Sequence, residues 1–96
     1  MPQVRFSRRA LIDLKRLREF LRPQSQAAAK RATEAIVNAI GVLKQHPGIG
    51  RPISDMPDGY HELLISFGNT GYIARYRYSK DEVTILSVSH QKEAPP

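Results

Sequence analysis

The fold of this chain is decided by the stretch Tyr72-Ile73-Ala74-Arg75-Tyr76-Arg77-Tyr78-Ser79. Tyrosine and alanine alternate there with isoleucine and arginine, as in a β-strand, whose successive side chains point to opposite faces of a sheet. Burying unpaired charge is prohibitively costly, so we expect the face with Arg75 and Arg77 to be exposed and the tyrosine face to be covered. The stretch therefore predicts the central strand of an antiparallel sheet with one covered and one open face.

Two further β-rich runs flank this strand and are joined to it by short polar turns. The first run spans His61 to Phe67, and the second spans Val83 to His90. Short turns between such runs are typical of an antiparallel meander. In the second run, strict alternation places Leu86, Val88 and His90 on one face and, on the other face, Val83, Ile85, Ser87 and Ser89.

The N-terminal half predicts one short strand and two helices. The strand spans Gln3 to Phe6, and apolar residues at helical spacing predict an amphipathic helix from Arg8 to Leu21 with Ser7 as its N-cap. A second helix begins near Ser25 and ends at His46-Pro47. Its apolar stripe consists of Ala28, Ala32, Ile36, Ala39, Ile40 and Leu43. The short connection between the helices predicts a helical hairpin.

The resulting element order is β-α-α-β-β-β in one domain, residues 1–96. The glycine- and proline-rich segment 47–60 is expected to be an ordered loop inside that domain. We expect an α+β fold in which the helical hairpin packs on one face of a small antiparallel sheet. A chain of 96 residues can bury one modest core and not two.

Composition excludes several classes of protein. Hydrophobic residues make up 41% of the chain and charged residues 25%, as in ordinary soluble domains. No run approaches the ~18 consecutive apolar residues of a membrane span, and the N-terminus does not resemble a signal peptide. The chain has no cysteine, and its histidines lack metal-ligand spacing. We therefore expect a cytoplasmic protein with no membrane contact, no cofactor and no bound metal.

The excess of positive charge is confined to the first third of the chain. Residues 1–31 contain nine basic and two acidic residues, a net charge of +7, whereas residues 32–96 have a net charge of −1. Such an asymmetry indicates an acidic partner, either nucleic acid or an acidic protein segment. The alternative is a solvated helix face that serves solubility.

Candidate chemistry on the predicted sheet is limited. Arg75 and Arg77 are suited to bidentate binding of phosphate or carboxylate on the open face. The alternative is that both arginines pair across strands with Glu62 or Glu82. His90 can act as a general acid or base, although a lone histidine at a strand end is more often structural. The sequence contains no P-loop, dinucleotide fingerprint or nucleophile elbow.

Several short motifs follow one another in a characteristic order along residues 3–92. They are Ala10-Leu11-Ile12-Asp13-Leu14, the Ala/Ile-rich second helix ending in His46-Pro47, Gly50-Arg51-Pro52, Glu62-Leu63-Leu64, Tyr72-Ile73-Ala74-Arg75-Tyr76-Arg77 and Ile85-Leu86-Ser87-Val88-Ser89-His90. In this order and spacing the chain resembles the RelE/ParE toxin superfamily of bacterial type II toxin–antitoxin modules. The resemblance implies the same α+β fold, growth inhibition, and a role in plasmid stabilisation. It also implies a cognate antitoxin that neutralises the toxin in a hetero-oligomer.

The superfamily has two functional branches. RelE-like members are ribosome-dependent mRNA endoribonucleases, whereas ParE-like members inhibit DNA gyrase and block replication. This chain departs from the nuclease pattern: Ile73 stands where those nucleases often have arginine, no tyrosine follows Tyr78, and segment 48–60 has no lysine. RNA cleavage needs a base, an acid and cations around the phosphate. The resemblance therefore favours a ParE-like gyrase inhibitor without catalytic residues, which contacts nucleic acid only indirectly.

Two other interpretations remain open. One is a RelE-like ribonuclease with Arg75, Arg77, His90 and Lys92 as its catalytic residues. The other is a degenerate homologue that keeps the fold and antitoxin binding but has lost toxicity.

The resemblance also implies two sets of binding residues. Antitoxins of this superfamily wrap the toxin with an extended, often acidic segment that covers the helical hairpin. The basic face of the first helix fits that role, with the expected antitoxin-binding residues Arg8, Ile12, Lys15, Arg18 and Arg22. The expected target-binding residues are Arg51, Arg75, Arg77, His90 and Lys92.

Overall fold

A computed structural model describes residues 1–93, so the last three residues of the predicted domain lie outside the described part of the chain. Two helices pack on one face of a five-stranded sheet with the strand order β1-β5-β4-β3-β2. The elements are β1 (Gln3–Phe6), α1 (Arg8–Leu21), α2 (Gln26–Gly41), β2 (Arg51–Pro52), β3 (Tyr60–Phe67), β4 (Thr70–Ser79) and β5 (Glu82–His90). The predicted α+β class is confirmed.

The sheet is mixed, and not wholly antiparallel as the sequence predicted. β5, β4, β3 and β2 form antiparallel pairs in sequence order, but β1 pairs parallel to β5, with Val4 opposite Val83. The short β2 lies within the segment expected to be a loop. The sequence predicts β1 but not its partner, because pairing between distant strands leaves no local pattern.

A β-bulge in β5 corrects the predicted alternation of that strand. Arg75 is opposite Ser87 and Tyr76 is opposite Ile85, so Leu86 has no partner on β4. One extra residue shifts the alternation, which turns every later side chain to the other face. The bulge therefore places four residues of β5 on the covered face, where each is the cross-strand neighbour of a residue on the tyrosine side of β4. They are Val83, Ile85, Val88 and His90.

The first helix satisfies the backbone of β5 beyond the bulge. Because β1 ends at Phe6, this edge of β5 has no neighbouring strand. The Ser7 hydroxyl accepts the Ala10 N–H as the N-cap of α1, and donates to the Leu86 carbonyl at 3.1 Å. The buried carboxylate of Asp13 accepts the Val88 N–H at 2.9 Å. Two side chains of one helix thus replace the hydrogen bonds of a missing strand.

Asp13 is 3% exposed, and its charge is balanced from the solvent side of the helix. Arg9 Nε donates to Asp13 Oδ1 at 3.2 Å, and Arg16 Nη2 lies 3.8 Å from the same oxygen. A buried carboxylate is tolerated only when it is paired and hydrogen-bonded, and Asp13 meets both conditions.

Small residues allow α2 to lie close to the rest of the core. Its buried positions are Ala29, Ala32, Ile36 and Ile40, while the predicted stripe residue Ala28 is half-buried. After Gly41 the helix tightens into a 3₁₀ turn, Val42–Lys44, which buries Leu43. On β4 the buried side chains are Tyr72, Ala74 and Tyr76, so the predicted face assignment of this strand is confirmed.

Replacing Asp13 tests the link between α1 and β5. We expect Asp13→Ala to lower the free energy of unfolding by about 1–3 kcal/mol, because the Val88 N–H is left buried without an acceptor. Urea unfolding followed by circular dichroism measures the change.

The matched control is Glu19→Ala, which removes an exposed carboxylate from the same helix. Glu19 forms an ion pair with Lys15 at 4.0 Å, and its loss should cost less than about 0.5 kcal/mol. Equal costs for the two variants would contradict the assigned role of Asp13.

Candidate functional site

The five residues predicted to bind an antitoxin all lie on the solvent side of α1. We call Arg8, Ile12, Lys15, Arg18 and Arg22 the basic face. Ile12 is 55% exposed among these cations. Within residues 1–93 the basic face makes one ion pair, Lys15 with Glu19. Three arginines therefore point into solvent without an acidic partner in the described part of the chain.

A groove of about 320 Å³ separates α1 from α2 beside the basic face. Arg18 and Arg22 line it from α1 and Lys30 lines it from α2, whereas Glu34 is the one acidic residue in the lining. Lys30 also makes no ion pair within residues 1–93. A carboxylate that enters this groove meets three cations, which the sequence did not reveal because Lys30 lies on the other helix.

The open face of the sheet contains an ion-pair network centred on Glu62. Arg51 Nε lies 2.6 Å from one carboxylate oxygen of Glu62, and Arg75 Nε lies 3.6 Å from the other. Arg77 instead lies over the ring of Tyr60, with 5.8 Å between its guanidinium carbon and the ring centroid. Cross-strand pairing is therefore correct for Arg75, while Arg77 forms no ion pair in the described residues.

Tyr76 places Arg51 within this network. Its buried hydroxyl donates to the Pro47 carbonyl at 2.8 Å and accepts the Gly50 N–H at 2.9 Å. A Cβ added to Gly50 would lie 2.7 Å from that hydroxyl, so the close approach requires glycine. Burial raises the pKa of Tyr76, and the Gly50 N–H partly offsets this. These two hydrogen bonds hold the loop 47–50 against the sheet immediately before Arg51, the first residue of β2.

A second, mostly apolar groove lies at the C-terminal end of α1, and we call it the end groove. Its volume is about 480 Å³. Its apolar lining consists of Leu17, Phe20, Leu21, Phe67 and Tyr72, and its polar rim of Arg16, Thr70, His90, Lys92 and Glu93. Phe20 is 69% exposed, which is high for a large aromatic side chain. Phe20 is not predicted from the sequence as a site residue, because it lies outside the apolar stripe of α1.

His90 is held in one orientation at the rim of the end groove. Its ring meets the edge of Tyr72 at a centroid distance of 5.4 Å. Its Nδ1 accepts the Lys92 N–H at 3.1 Å, so Nε2 carries the proton and donates to the Thr70 hydroxyl at 3.2 Å. Both ring nitrogens are thus engaged by neighbouring residues.

Glu93 closes the end groove by bridging α1 and the end of β5. One carboxylate oxygen accepts the His90 N–H at 3.0 Å, and the other lies 2.8 Å from Arg16 Nη1. Burial acts to raise the pKa of Glu93, but the hydrogen bonds from the His90 backbone N–H and from Arg16, together with the Arg16 charge, outweigh it and lower the pKa. Burial, together with the nearby charge of Glu93, raises the pKa of Tyr72. No local sequence pattern predicts this bridge, since Arg16 and Glu93 are far apart in the chain.

The structure divides the predicted target-binding set between the two sides of the sheet. Arg75 and Arg77 lie on the open face, whereas His90 is paired with Tyr72 on the covered face. Lys92 follows His90 at the end groove. The candidate nuclease residues Arg75, Arg77, His90 and Lys92 therefore do not converge on one point.

Two further properties concern metals and membranes. Among residues 1–93, no three histidine or acidic side chains lie close enough together to hold a metal ion. None of the helices in the described chain has the length and apolar character needed to cross a membrane.

Comparison with known proteins identifies close similarity over nearly the whole chain. Residues 4–95 match the model of a family described as the ParE toxin of type II toxin–antitoxin systems. A relative from Caulobacter vibrioides, named Toxin RelE3, is 37% identical over 93 residues, which cover 97% of this chain and 98% of the relative.

Two solved structures have the same fold. The chromosomal ParDE system from P. aeruginosa contains a chain with a TM-score of 0.78 at 24% identity, covering 94% of this chain and 96% of its own length. The toxin–antitoxin complex RelBE2 from Mycobacterium tuberculosis contains a chain with a TM-score of 0.67 at 29% identity. That similarity covers 95% of this chain and 100% of the other.

The bridge made by Glu93 predicts a pH-dependent contribution to stability. The pKa of Glu93 in the folded chain is below its ordinary value of 4.5. The stabilisation is therefore complete above pH 4.5, and it is lost as the pH falls through the lowered pKa of the folded chain. We expect Glu93→Gln to lower the unfolding temperature at neutral pH, and the difference from the wild type to shrink in acid. Thermal unfolding across this pH range measures it.

Glu34→Gln is the matched control, because Glu34 forms no ion pair among residues 1–93. Its difference from the wild type should be small at every pH. A Glu93→Gln difference that stays constant down to the acid limit would contradict the bridge.

Proposed function

Since the chain belongs to the ParE toxin family of type II toxin–antitoxin systems, we propose that it blocks replication by inhibiting DNA gyrase. It is the toxin component of such a module, and a toxin of this kind is neutralised by an antitoxin. Gyrase acts on the bacterial chromosome, so the proposed place of action is the cytoplasm.

The observation that carries this proposal is the separation of the candidate nuclease residues. In-line cleavage requires a base, an acid and cations around one phosphate. Here Arg75 is engaged by Glu62 on the open face, while both ring nitrogens of His90 are engaged on the other side of the sheet. Arg77 remains available, but no histidine of the described chain shares its face. This arrangement favours a binding protein.

A RelE-like ribonuclease is the second candidate. The Caulobacter relative is named Toxin RelE3, and the Mycobacterium structure is a RelBE2 complex. Arg77, exposed and without an ion pair in residues 1–93, is the residue that would serve such an activity best. A toxin that has lost its activity is the third candidate.

The cellular response to expression separates these candidates. With gyrase as the target, cells expressing the toxin without antitoxin should form filaments and induce DNA-damage signalling while amino-acid incorporation into protein continues. Microscopy and pulse labelling of new protein measure the two responses. Rapid arrest of translation before filamentation would contradict the proposal, and normal growth would indicate an inactive toxin.

Arg75→Gln sharpens the same experiment. A ribonuclease that depends on Arg75 loses its activity in this variant. A gyrase inhibitor keeps most of its activity, because the Arg75 guanidinium is already bound to Glu62.

We also propose that the basic face binds the acidic segment of the antitoxin. Arg8, Arg18 and Arg22 have no acidic partner in residues 1–93, and Arg18 and Arg22 line the groove shared with Lys30. Ile12 supplies an apolar contact at the centre of this face. Exposed cations attract an acidic partner and align it, and each contact adds a modest amount to affinity.

The double variant Arg18→Ala/Arg22→Ala tests the basic face. We expect its dissociation constant for the antitoxin encoded beside the toxin gene to rise about tenfold, and its salt dependence to weaken. Calorimetry at two salt concentrations measures both. Arg8 and Lys15 remain in this variant, so residual binding is expected.

The control is Arg31→Ala, which removes an exposed cation of α2 outside the groove lining. Arg31→Ala removes one charge and the double variant removes two. If the loss of affinity per charge is the same in both, the antitoxin responds to total charge and the basic face is not its site.

A further inference from the structure

A polar depression lies on the open face at the end of the β4–β5 hairpin. Its volume is about 330 Å³, and its lining consists of Arg77, Ser79, Lys80, Glu82 and Thr84. Arg77 is opposite Thr84 and Ser79 is opposite Glu82, so the lining comes from two neighbouring strands and their turn. No residue of the helical hairpin takes part.

The depression has an excess of positive charge. Glu82 is the acidic residue of its lining, and Arg5 Nη1 lies 3.4 Å from the Glu82 carboxylate. Arg77 and Lys80 make no ion pair within residues 1–93. The hydroxyls of Ser79 and Thr84 make no side-chain hydrogen bond there either. Two cations and two hydroxyl donors therefore surround a space open to solvent, with Asp81 as the other nearby acid.

The turn that presents Lys80 has a backbone conformation that is unfavourable for lysine. Lys80 has a φ of 53° and Asp81 a φ of 61°, the two left-handed positions of a type I′ hairpin turn. Asparagine and glycine are the residues preferred there. The turn is held by β1, because the Asp81 carbonyl accepts the Gln3 N–H at 3.2 Å. The chain thus keeps a lysine at the mouth of the depression where the turn itself favours other residues.

We propose that this depression binds a backbone phosphate of duplex DNA. An arginine, a lysine and two hydroxyls are the groups with which proteins hold DNA phosphates. Arg77 is oriented by the Tyr60 ring beneath it, which prepares its guanidinium for the contact. The site is shallow and open, as a contact to a long polymer requires. The sequence suggested an indirect contact with nucleic acid, whereas this site makes the contact direct.

This inference rests on the proposed function, because gyrase holds duplex DNA at its site of action. The depression and the basic face lie on opposite sides of the molecule, so DNA and an antitoxin do not compete for the same residues. Contact with the DNA would increase the affinity of the toxin for gyrase that is loaded with its substrate.

Binding to a short labelled DNA duplex, followed by fluorescence anisotropy, tests the site. At low salt we expect Arg77→Gln and Lys80→Gln each to weaken binding about tenfold and to reduce the slope of log affinity against log salt by about one. The matched control is Arg31→Gln, which removes one exposed positive charge from α2 and should leave the slope unchanged. Equal losses in all three variants would overturn the proposal.

Lys80→Gly separates loss of binding from loss of folding. Glycine fits a positive φ better than lysine does, so this variant should have a higher unfolding temperature and yet bind DNA more weakly. Asp81→Asn should bind more tightly, since it removes an acidic charge beside the site. Unchanged DNA binding in Lys80→Gly would also overturn the proposal.

Two further measurements distinguish the failure of this site from the failure of the proposed function. If Arg77→Gln and Lys80→Gln weaken binding to single-stranded RNA and leave binding to duplex DNA unchanged, the proposed DNA site is wrong. If the wild type leaves gyrase activity unchanged while DNA binding depends on Arg77 and Lys80, the proposed function fails and the site stands. If gyrase is inhibited but these variants bind DNA as the wild type does, the site fails alone.

Discussion

The hydrogen bond from the Val88 N–H to the buried carboxylate of Asp13 is the contact on which the arrangement of this toxin depends. It lies where β1 has ended and β5 continues without a neighbouring strand, just past the extra residue Leu86. Because of the bulge, apolar side chains both before and after Leu86 face the helices. The Ser7 and Asp13 side chains form hydrogen bonds with the Leu86 carbonyl and the Val88 N–H, which have no neighbouring strand at this edge. One helix therefore both covers the core and completes the edge of the sheet.

Because Tyr72 and Tyr76 of β4 and Val83, Ile85 and Val88 of β5 are buried under the helices, the charged residues of these strands lie on the open face. Glu62 forms ion pairs with Arg51 and Arg75 there, and Arg77 lies over the Tyr60 ring without an ion pair in residues 1–93. The opposite side of the molecule presents the basic face of α1. Two charged surfaces separated by a packed core are consistent with the proposed binding of an antitoxin on one side and of the target on the other. Within residues 1–93, Arg75 and His90 lie on opposite sides of the sheet.

Local pattern predicted most of the fold, and long-range pairing accounts for what it missed. Alternation in β4 and the spacing of leucines in α1 predicted both elements with the correct faces, since each depends on residues close in sequence. The bulge at Leu86, the parallel partner of β1 and the bridge between Arg16 and Glu93 depend on contacts between distant residues. Among site residues, the exposure of the basic face followed from helical spacing. The sequence placed His90 in one target-binding set with Arg75 and Arg77, but the structure places it on the other face of the sheet. A prediction from strict alternation along β5 takes no account of the bulge.

Inhibition of DNA gyrase is measured by a supercoiling assay with the purified enzyme, and a ribosome-dependent mRNA cleavage assay is run on the same preparation of toxin. We expect that supercoiling is lost, that gyrase complexes with cleaved DNA accumulate, and that ribosome-bound mRNA stays intact. Intact supercoiling together with cleaved mRNA would contradict this expectation and assign the activity to Arg77 and its neighbours on the open face.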